Sequence, residues 1–582
     1  MLHFSISRTL ASMNKINLKL LKRFLVLARP YWFSKDKRKA RWLMVALIVL
    51  LVADTEFNVL FNQQSGEITS ALAARDAPRL WHSIRVFFGL LVLAVPIYSY
   101  YYFVRDKLAL NWRGWLTTEF LNRYFQNRAF YRLLTKPEID NPDQRISEDI
   151  NAFTERSLTL LLLFLGGILQ LVAFGHVLWA ISSYLVFFLI LYATIGTLIT
   201  FGVFGEKMVS LYFNQRRREA DFRFGLVRIR ENAEAIALYR GERQEQRQVQ
   251  GLFAKLFTNF NKLINWSLRL NFFQYAQSLL TTVLPSVIIA PRVLSGELEV
   301  GRIVEAAGAF SAILGALTLL LDNLDSISRF AAGVGRLDSF AHSLAPPTNR
   351  IDPARGKIKV QEGRQLSFND VTMQTPNYER TLVKALTVAV PPGEGLMIVG
   401  SSGLGKSSVL RVMAGLWNSG TGTLERPNPE DMLFLPQHAY MVLGSLRDQL
   451  NYPNLNRNTS DKELGEVLEL VNLPHLIERC GGLDADFNFE KILSVGERQR
   501  LAFARVILKQ PRYVLLDEAT SALDRENESE LYRKLIATST TIVSVSHHPA
   551  LVRYHSQVLE LKQDGAWHLH SAAEFRFTED LT

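Results

Sequence analysis

Residues 400–408 read Gly-Ser-Ser-Gly-Leu-Gly-Lys-Ser-Ser. A glycine, then Gly405, Lys406 and Ser407 after a fixed gap, is the pattern of a phosphate-binding loop. Gly400, Gly403 and Gly405 let the backbone curl, so that N–H groups across Ser401, Ser402 and Leu404 point at phosphate oxygens. Lys406 would reach the outer phosphates of a nucleoside triphosphate, and Ser407 would offer its hydroxyl to Mg²⁺. Ser408 completes the stretch expected to hold ATP. The flanks fit this chemistry. An apolar run, 395–400, reads as a buried strand, and "KSSVLRVMAGL" reads as a helix. A glycine-rich turn without a ligand would need neither flank.

Such loops drive kinases, GTPases, helicases and transport ATPases, so the rest of the chain must decide. It has 582 residues, 48% of them hydrophobic, and a net charge of +11. That is too long for one domain and too apolar for an ordinary soluble protein. Six apolar segments approach the ~20 residues that span a bilayer. They lie at 41–62, 83–104, 157–180, 182–204, 272–294 and 303–322. Segments three and four must form a tight hairpin. The long connections 105–156 and 205–271 are rich in Arg and Lys and have helical periodicity, whereas 63–82 and 295–302 carry few basic residues. The positive-inside rule puts both termini and both long loops in the cytoplasm. The basic excess therefore belongs beside a membrane, and nothing suggests nucleic acid as a partner. The single cysteine, Cys480, excludes an intrachain disulfide and fits a reducing compartment.

Residues 1–40 are basic and amphipathic, readable as a transit peptide or, preferably, as an interfacial helix on membrane lipid. The membrane domain is expected over 41–340. A Pro-rich, charged linker is expected over 341–358, and a soluble domain of alternating strands and helices over 359–582.

The discriminating stretch is "ILSVGERQRLAFARVILKQPRYVLLDEATSALD", residues 492–524. "LSVGERQR" resembles the signature of ABC transporter ATPases. An apolar strand ending in Asp517-Glu518, then "SALD", then "SVSHHP", follow in that family's order, with Gln437 upstream. The resemblance implies a membrane α-helical domain of six spans in an exporter-type layout, fused to an α/β P-loop ABC ATPase domain. It also implies roles. Asp517 would position Mg²⁺, with Ser407 and Gln437 as further ligands. Glu518 would orient the attacking water, and His547 and Gln437 would contact or sense the γ-phosphate. Asp524 would couple two sites. Ser494, Gly496 and Glu497 of the signature would meet ATP held by another subunit, Ser494 and Gly496 lying just before a helix whose N-terminus suits an anion. His548, beside His547, reads as a bystander, and Asp524 is also readable as a helix cap. Tyr378, or Thr375, would stand where the family stacks an aromatic on adenine.

"NPDQRISEDI" (141–150), "ENAEAIALYRGERQE" (231–245) and "LPQHAYMVLGSLRDQLNYP" (435–453) look like the branch holding D-subfamily half-transporters and bacterial relatives for cobalamin, bleomycin and antimicrobial peptides. The first two are also readable as a turn before a helix and as a solvated helix with i,i+4 charge pairs; coupling elements are the preferred reading. One phosphate loop with one signature makes a half-transporter, so a second copy of the chain is the expected partner. Asp54, Glu56, His176 and Glu305 fall in or near spans, and ionisable groups there usually face a cavity or a partner. A polar cavity points to hydrophilic cargo, cobalamin or peptide-like. Acyl-CoA or fatty acid is the alternative cargo, and a membrane-anchored ATPase acting as a regulator or gated channel is the alternative of another class. The location expected is a bacterial inner membrane.

Overall fold

The computed structural model describes residues 19–134, 141–345 and 356–577. The chain divides into two compact units, Met1–Thr348 and Asn349–Thr582. Residues 1–18 of the N-terminal stretch and 346–355 of the expected linker lie outside the described residues.

Among the described residues, six helices of the first unit are long and apolar enough to cross a membrane. They belong to α1 (Lys37–Ala73), α2 (Ala77–Phe125), α3 (Ile150–Ile181), α4 (Ser183–Ile199), α6 (Glu242–Leu294) and α7 (Gly301–Asp322), with α5 (Glu206–Glu231) and α8 (Leu324–Leu344) between or after them. A single extended residue, Ser182, separates α3 from α4, so the hairpin is as tight as the sequence demands. Helices α2 and α6 run 49 and 53 residues. At 1.5 Å per residue they extend roughly 74 and 80 Å, far beyond a ~30 Å hydrocarbon core. The long connections are therefore helical extensions of the spans.

Four-residue spacing builds their core. Leu108, Trp112, Leu116 and Phe120 of α2 are buried with Ile150 and Phe153 of α3 and Leu337 and Phe340 of α8. The expected linker start at 341 falls inside α8, which persists because Leu344 joins the same core. The described N-terminal helix, 19–32, also differs from a purely interfacial one. Leu27, Ala28 and Tyr31 are buried in this core, and Tyr31 stacks on Trp112 at 5.7 Å. In "NPDQRISEDI", Arg145 and Asp149 are buried and bind α8: Arg145 donates to the Arg336 carbonyl (2.7 Å), and Asp149 accepts from Arg336 Nε (2.8 Å). In "ENAEAIALYRGERQE", by contrast, Leu238 and Tyr239 end a short helix exposed.

Among its described residues, the second unit holds two larger sheets and a two-residue pairing of Gly444–Ser445 with Asp486–Phe487. The strands of the larger two are β1 (Lys359–Glu362), β2 (Leu366–Gln374), β3 (Thr381–Val390), β4 (Leu396–Val399), β5 (Gly420–Arg426), β6 (Met432–Leu435), β7 (Tyr513–Asp517), β8 (Thr541–Val545), β9 (Gln557–Leu561) and β10 (Trp567–Ser571). One sheet has the order β1-β5-β2-β3 and the other β10-β9-β4-β8-β7-β6. In the second sheet every pairing is parallel except that of β9 with β10. Its central strands β4, β7 and β8 are buried throughout and mostly apolar, because both faces are covered. Leu396 and Ile398 of β4 enter a core with α9 (Lys406–Met413) and the smaller sheet. Met397 and Val399 enter another with α10 (Val495–Lys509) and α11 (Arg525–Ala537).

Candidate functional site

Parallel strands bring their carboxyl ends to one edge, where ligands of such sheets bind. Strand β4 runs into the phosphate loop. Leu435, ending β6, lies opposite Leu516, and Asp517, ending β7, lies opposite Val545, the end of β8. Gln437, Glu518 and His547 each follow one of those ends, so motifs scattered through the sequence become neighbours.

Gly400 has φ +144°, and a Cβ there would sit 2.6 Å from the Leu561 carbonyl oxygen; only glycine fits. Ser401, Ser402 and Gly403 are exposed, Leu404 and Gly405 half-buried, and Lys406 and Ser408 buried. Lys406 Nζ donates to the carbonyls of Gly400 (2.7 Å) and Ser401 (3.1 Å). Burial pushes its pKa down, opposed by the charges of Glu518 and Asp517. Ser407 Oγ donates to Asp517 Oδ1 at 2.8 Å. Burial pushes the Asp517 carboxyl above its ordinary range, against the lowering effect of that hydrogen bond.

Glu518 leaves the sheet in a left-handed conformation, φ +47°, its N–H bonded to the Val545 carbonyl at 3.1 Å. Such backbone is costly for a residue with a side chain and clusters at functional sites. It turns the carboxylate between two partners: Gln437 Nε2 donates to Oε2 at 2.9 Å, and His547 Nε2 stands 3.5 Å from Oε1.

The signature differs from expectation. Ser494 is the N-cap of α10, which begins at Val495, so Gly496 lies in the first turn rather than before the helix. Ser494 Oγ accepts from the Glu497 N–H, and Glu497 Oε2 accepts from the Ser494 N–H at 2.8 Å, a capping box. The other Glu497 oxygen takes Arg479 Nη1 at 2.7 Å. Both oxygens of Glu497 are thus used inside the chain. Glu497 therefore acts as a cap that shapes the signature, and N–H groups of the first turn are left for an anion. Asp524 is a cap as well, accepting from the Asn527 N–H (2.8 Å) at the start of α11, and these bonds hold its carboxyl below the ordinary range. Tyr378 lies between β2 and β3, its hydroxyl donating to the Gly356 carbonyl at 3.1 Å.

Sequence reasoning missed three buried polar residues. Gln499 of α10 accepts from the Ala522 N–H at 3.1 Å and reaches the Gln437 carbonyl at 3.4 Å. Arg505 donates to the carbonyls of Gln449 (2.6 Å) and Tyr440 (2.8 Å), with burial lowering its pKa to about 10. Glu528 of α11 meets His548 Nδ1 at 2.8 Å. No local spacing marks these residues, because their partners are remote in sequence.

Residues 27–294 match the family described as ABC transporter transmembrane region 2, and residues 383–521 match that described as ABC transporter. The chain is 43% identical to an uncharacterized ABC transporter ATP-binding protein of Synechocystis, over 92% of this chain and 83% of that protein. The chain belongs to the ABC transporter family. It is also 35% identical to ABC transporter D family member 2, chloroplastic, of Arabidopsis thaliana, covering 93% of this chain and 86% of that protein. To the human lysosomal cobalamin transporter ABCD4 the identity is 31%, covering 95% and 97%. The chain is a half-transporter of the D-subfamily type, and its P-loop unit is an ATPase coupled to transport.

In this transporter's spans, Asp54 is half-buried and accepts hydrogen bonds from Tyr98 and Asn58. Glu56 and His176 are exposed. Glu305 is buried, paired with Arg302 at 2.7 Å, its backbone carbonyl taken by Asn62 Nδ2. Nearby, Arg79 bridges Glu67 (2.6 Å) and Glu299 (2.8 Å), tying the two short connections together.

Proposed function

We propose that the chain works as a homodimer that hydrolyses Mg²⁺-ATP to move a hydrophilic solute, of cobalamin or peptide class, across a bacterial inner membrane. The ATPase unit lies in the cytoplasm. The observation that carries the ATP chemistry is the Glu518 carboxylate held between Gln437 and His547 at the sheet edge. The loop amides and Lys406 bind the phosphates and offset their charge. Glu518 orients a water toward the γ-phosphate and draws on its proton, Gln437 and His547 fix the carboxylate, and His547 is available to the γ-phosphoryl oxygens. Phosphoryl transfer depends mostly on such positioning and charge compensation. The Ser407 hydroxyl and Asp517 carboxylate, 2.8 Å apart, are hard oxygen donors of the kind Mg²⁺ takes while keeping several waters. Gln437 supplies a further amide oxygen. The ion, when bound, lowers the charge on the phosphates. Tyr378 is the residue offered for stacking on adenine.

The inventory of parts calls for a second half-transporter, and in this reading it is a second copy. One phosphate loop and one signature occur per chain, and a two-fold axis repeats both. Hydrophilic cargo is supported by the Asp54, Asn58 and Tyr98 cluster within the spans and by the likeness to a cobalamin transporter. Flux of labelled cobalamin into or out of proteoliposomes, with and without Mg²⁺-ATP, tests the reading. ATP-dependent flux that disappears in Glu518→Gln supports it. ATPase activity without flux would remove cobalamin and turn the search to peptides and acyl-CoA.

A further inference from the structure

A carboxylate outside the reacting set sits directly behind it. Glu528, in the first turn of α11, is 1% exposed. A buried carboxylate is costly unless each oxygen is satisfied. Here one oxygen, Oε1, accepts from Thr520 Oγ1 at 2.6 Å, and the other, Oε2, meets His548 Nδ1 at 2.8 Å. Thr520 is two residues beyond Glu518, and His548 is the neighbour of His547. The His548 N–H is in turn tied to Ser546 Oγ at 3.1 Å. The two backbone segments that deliver Glu518 and His547 are thus clamped to one buried side chain.

We infer that Glu528 is a positioning residue for ATP hydrolysis: its two oxygens, through Thr520 and His548, fix the separation between Glu518 and His547. The span it controls is short. His547 Nε2 lies 3.5 Å from Glu518 Oε1, a distance at which a small shift makes or breaks the contact. The segment 519–524 would otherwise be held by Gln499 at its middle and by the α11 cap at its end. Glu528 anchors its beginning, next to the reacting carboxylate. In the Nδ1–H tautomer His548 donates to the carboxylate.

The inference rests on the roles proposed above for Glu518 and His547. Its test is the ATPase activity of the full-length protein in nanodiscs, with kcat, KM and Mg²⁺-ATP affinity measured separately. Glu528→Ala is expected to lower kcat by ~10- to 100-fold, the scale of a small misplacement of reacting groups, with ATP affinity within about twofold of wild type. Glu528→Gln, which keeps an acceptor and a donor of the same shape, should recover most of the loss. His548→Ala, at a half-buried position, should lower kcat in the same direction and add little to Glu528→Ala, because the two act as one unit. Unchanged kcat in His548→Ala and Glu528→Ala overturns the inference. So does a parallel fall in kcat and ATP affinity that Glu528→Gln does not recover, since that marks a merely structural role. Glu518→Gln, run alongside, separates the failures. Full turnover in that variant would sink the site assignment itself. Loss there, with none in the Glu528 and His548 variants, sinks only the clamp.

Discussion

Acidification should loosen the strand that leads to His547, and the cause is a different histidine. His555 is buried between β8 and α11. Its Nδ1–H donates to the Leu551 carbonyl at 2.8 Å, and Nε2 accepts from Ser544 Oγ at 2.8 Å. The Tyr532 ring lies 6.1 Å away. Burial pushes its pKa down from 6.5 to about 4, opposed by the Leu551 hydrogen bond. An unfolded chain takes the proton near pH 6.5, and the folded one does not until pH is near 4. The unfolded state therefore binds more protons in that window, so stability is complete above pH 6.5 and declines as pH falls. At 1.36 kcal/mol per unit, this group alone costs ~2 kcal/mol by pH 5 and ~3 kcal/mol by pH 4. The assay is amide exchange of Thr541–Val545 in the full-length protein by mass spectrometry, corrected for intrinsic chemistry. Between pH 7 and pH 5 the wild type should open ~30-fold more readily, the equivalent of ~2 kcal/mol. His555→Gln cannot titrate and should lack that increment, whatever its basal stability. Equal loss of protection in both proteins would refute the argument, because other carboxylates would then account for the acid effect.

Gly400→Ala should abolish measurable ATP binding, since the new Cβ meets the Leu561 carbonyl and φ +144° strains any side chain by ~1–3 kcal/mol; binding within a few-fold of wild type would contradict the loop geometry. Ser494→Ala removes one half of the capping box and should cost ~1 kcal/mol, read as a lower unfolding midpoint, with Ser494→Asn restoring most of it. Cys480 is 1% exposed and burial raises its thiol pKa; it should resist maleimide in the native protein and react once denaturant unfolds the second unit, and rapid native labelling would contradict its burial.

Legibility differed by the range of the interactions involved. The phosphate loop, the Asp517-Glu518 pair and the six apolar spans are local patterns, carried within a few residues or one helix, and spacing reveals them. The capping roles of Glu497 and Asp524 are local too, and that of Asp524 is readable from its place before a helix. Both side chains close hydrogen bonds three residues away along their own helices. Glu528, Gln499 and Arg505 were illegible for another reason. A polar residue on a helix reads as a solvated one unless the packing partner is known. Glu528 joins Thr520 and His548, and Arg505 reaches back to Gln449 and Tyr440, over sequence distances no periodicity spans. The burial of Tyr31 against Trp112 was hidden similarly, since an amphipathic stretch fits lipid and a helical bundle equally well.

Cargo is the least legible property, because its pathway is assembled from remote helices and from a second chain. Asp54 stands midway between Arg41 and Glu67, about 20 Å along α1 from either, which puts it near mid-depth of the span. It is satisfied within the chain by Asn58 and Tyr98. Glu56, two residues on, lies roughly 200° around the helix and is exposed. A lone carboxylate facing lipid at that depth costs several kcal/mol, so Glu56 is expected to face water in a pathway or a surface of a partner chain. Glu56→Cys in a Cys480→Ala background distinguishes this from lipid exposure. A membrane-impermeant thiol reagent should label position 56, or a bifunctional one should link two copies through it, with Mg²⁺-ATP changing the rate of either. Labelling only by a lipid-soluble reagent would mean that the face bearing Glu56 meets the bilayer, and the case for a hydrophilic pathway along α1 would fall.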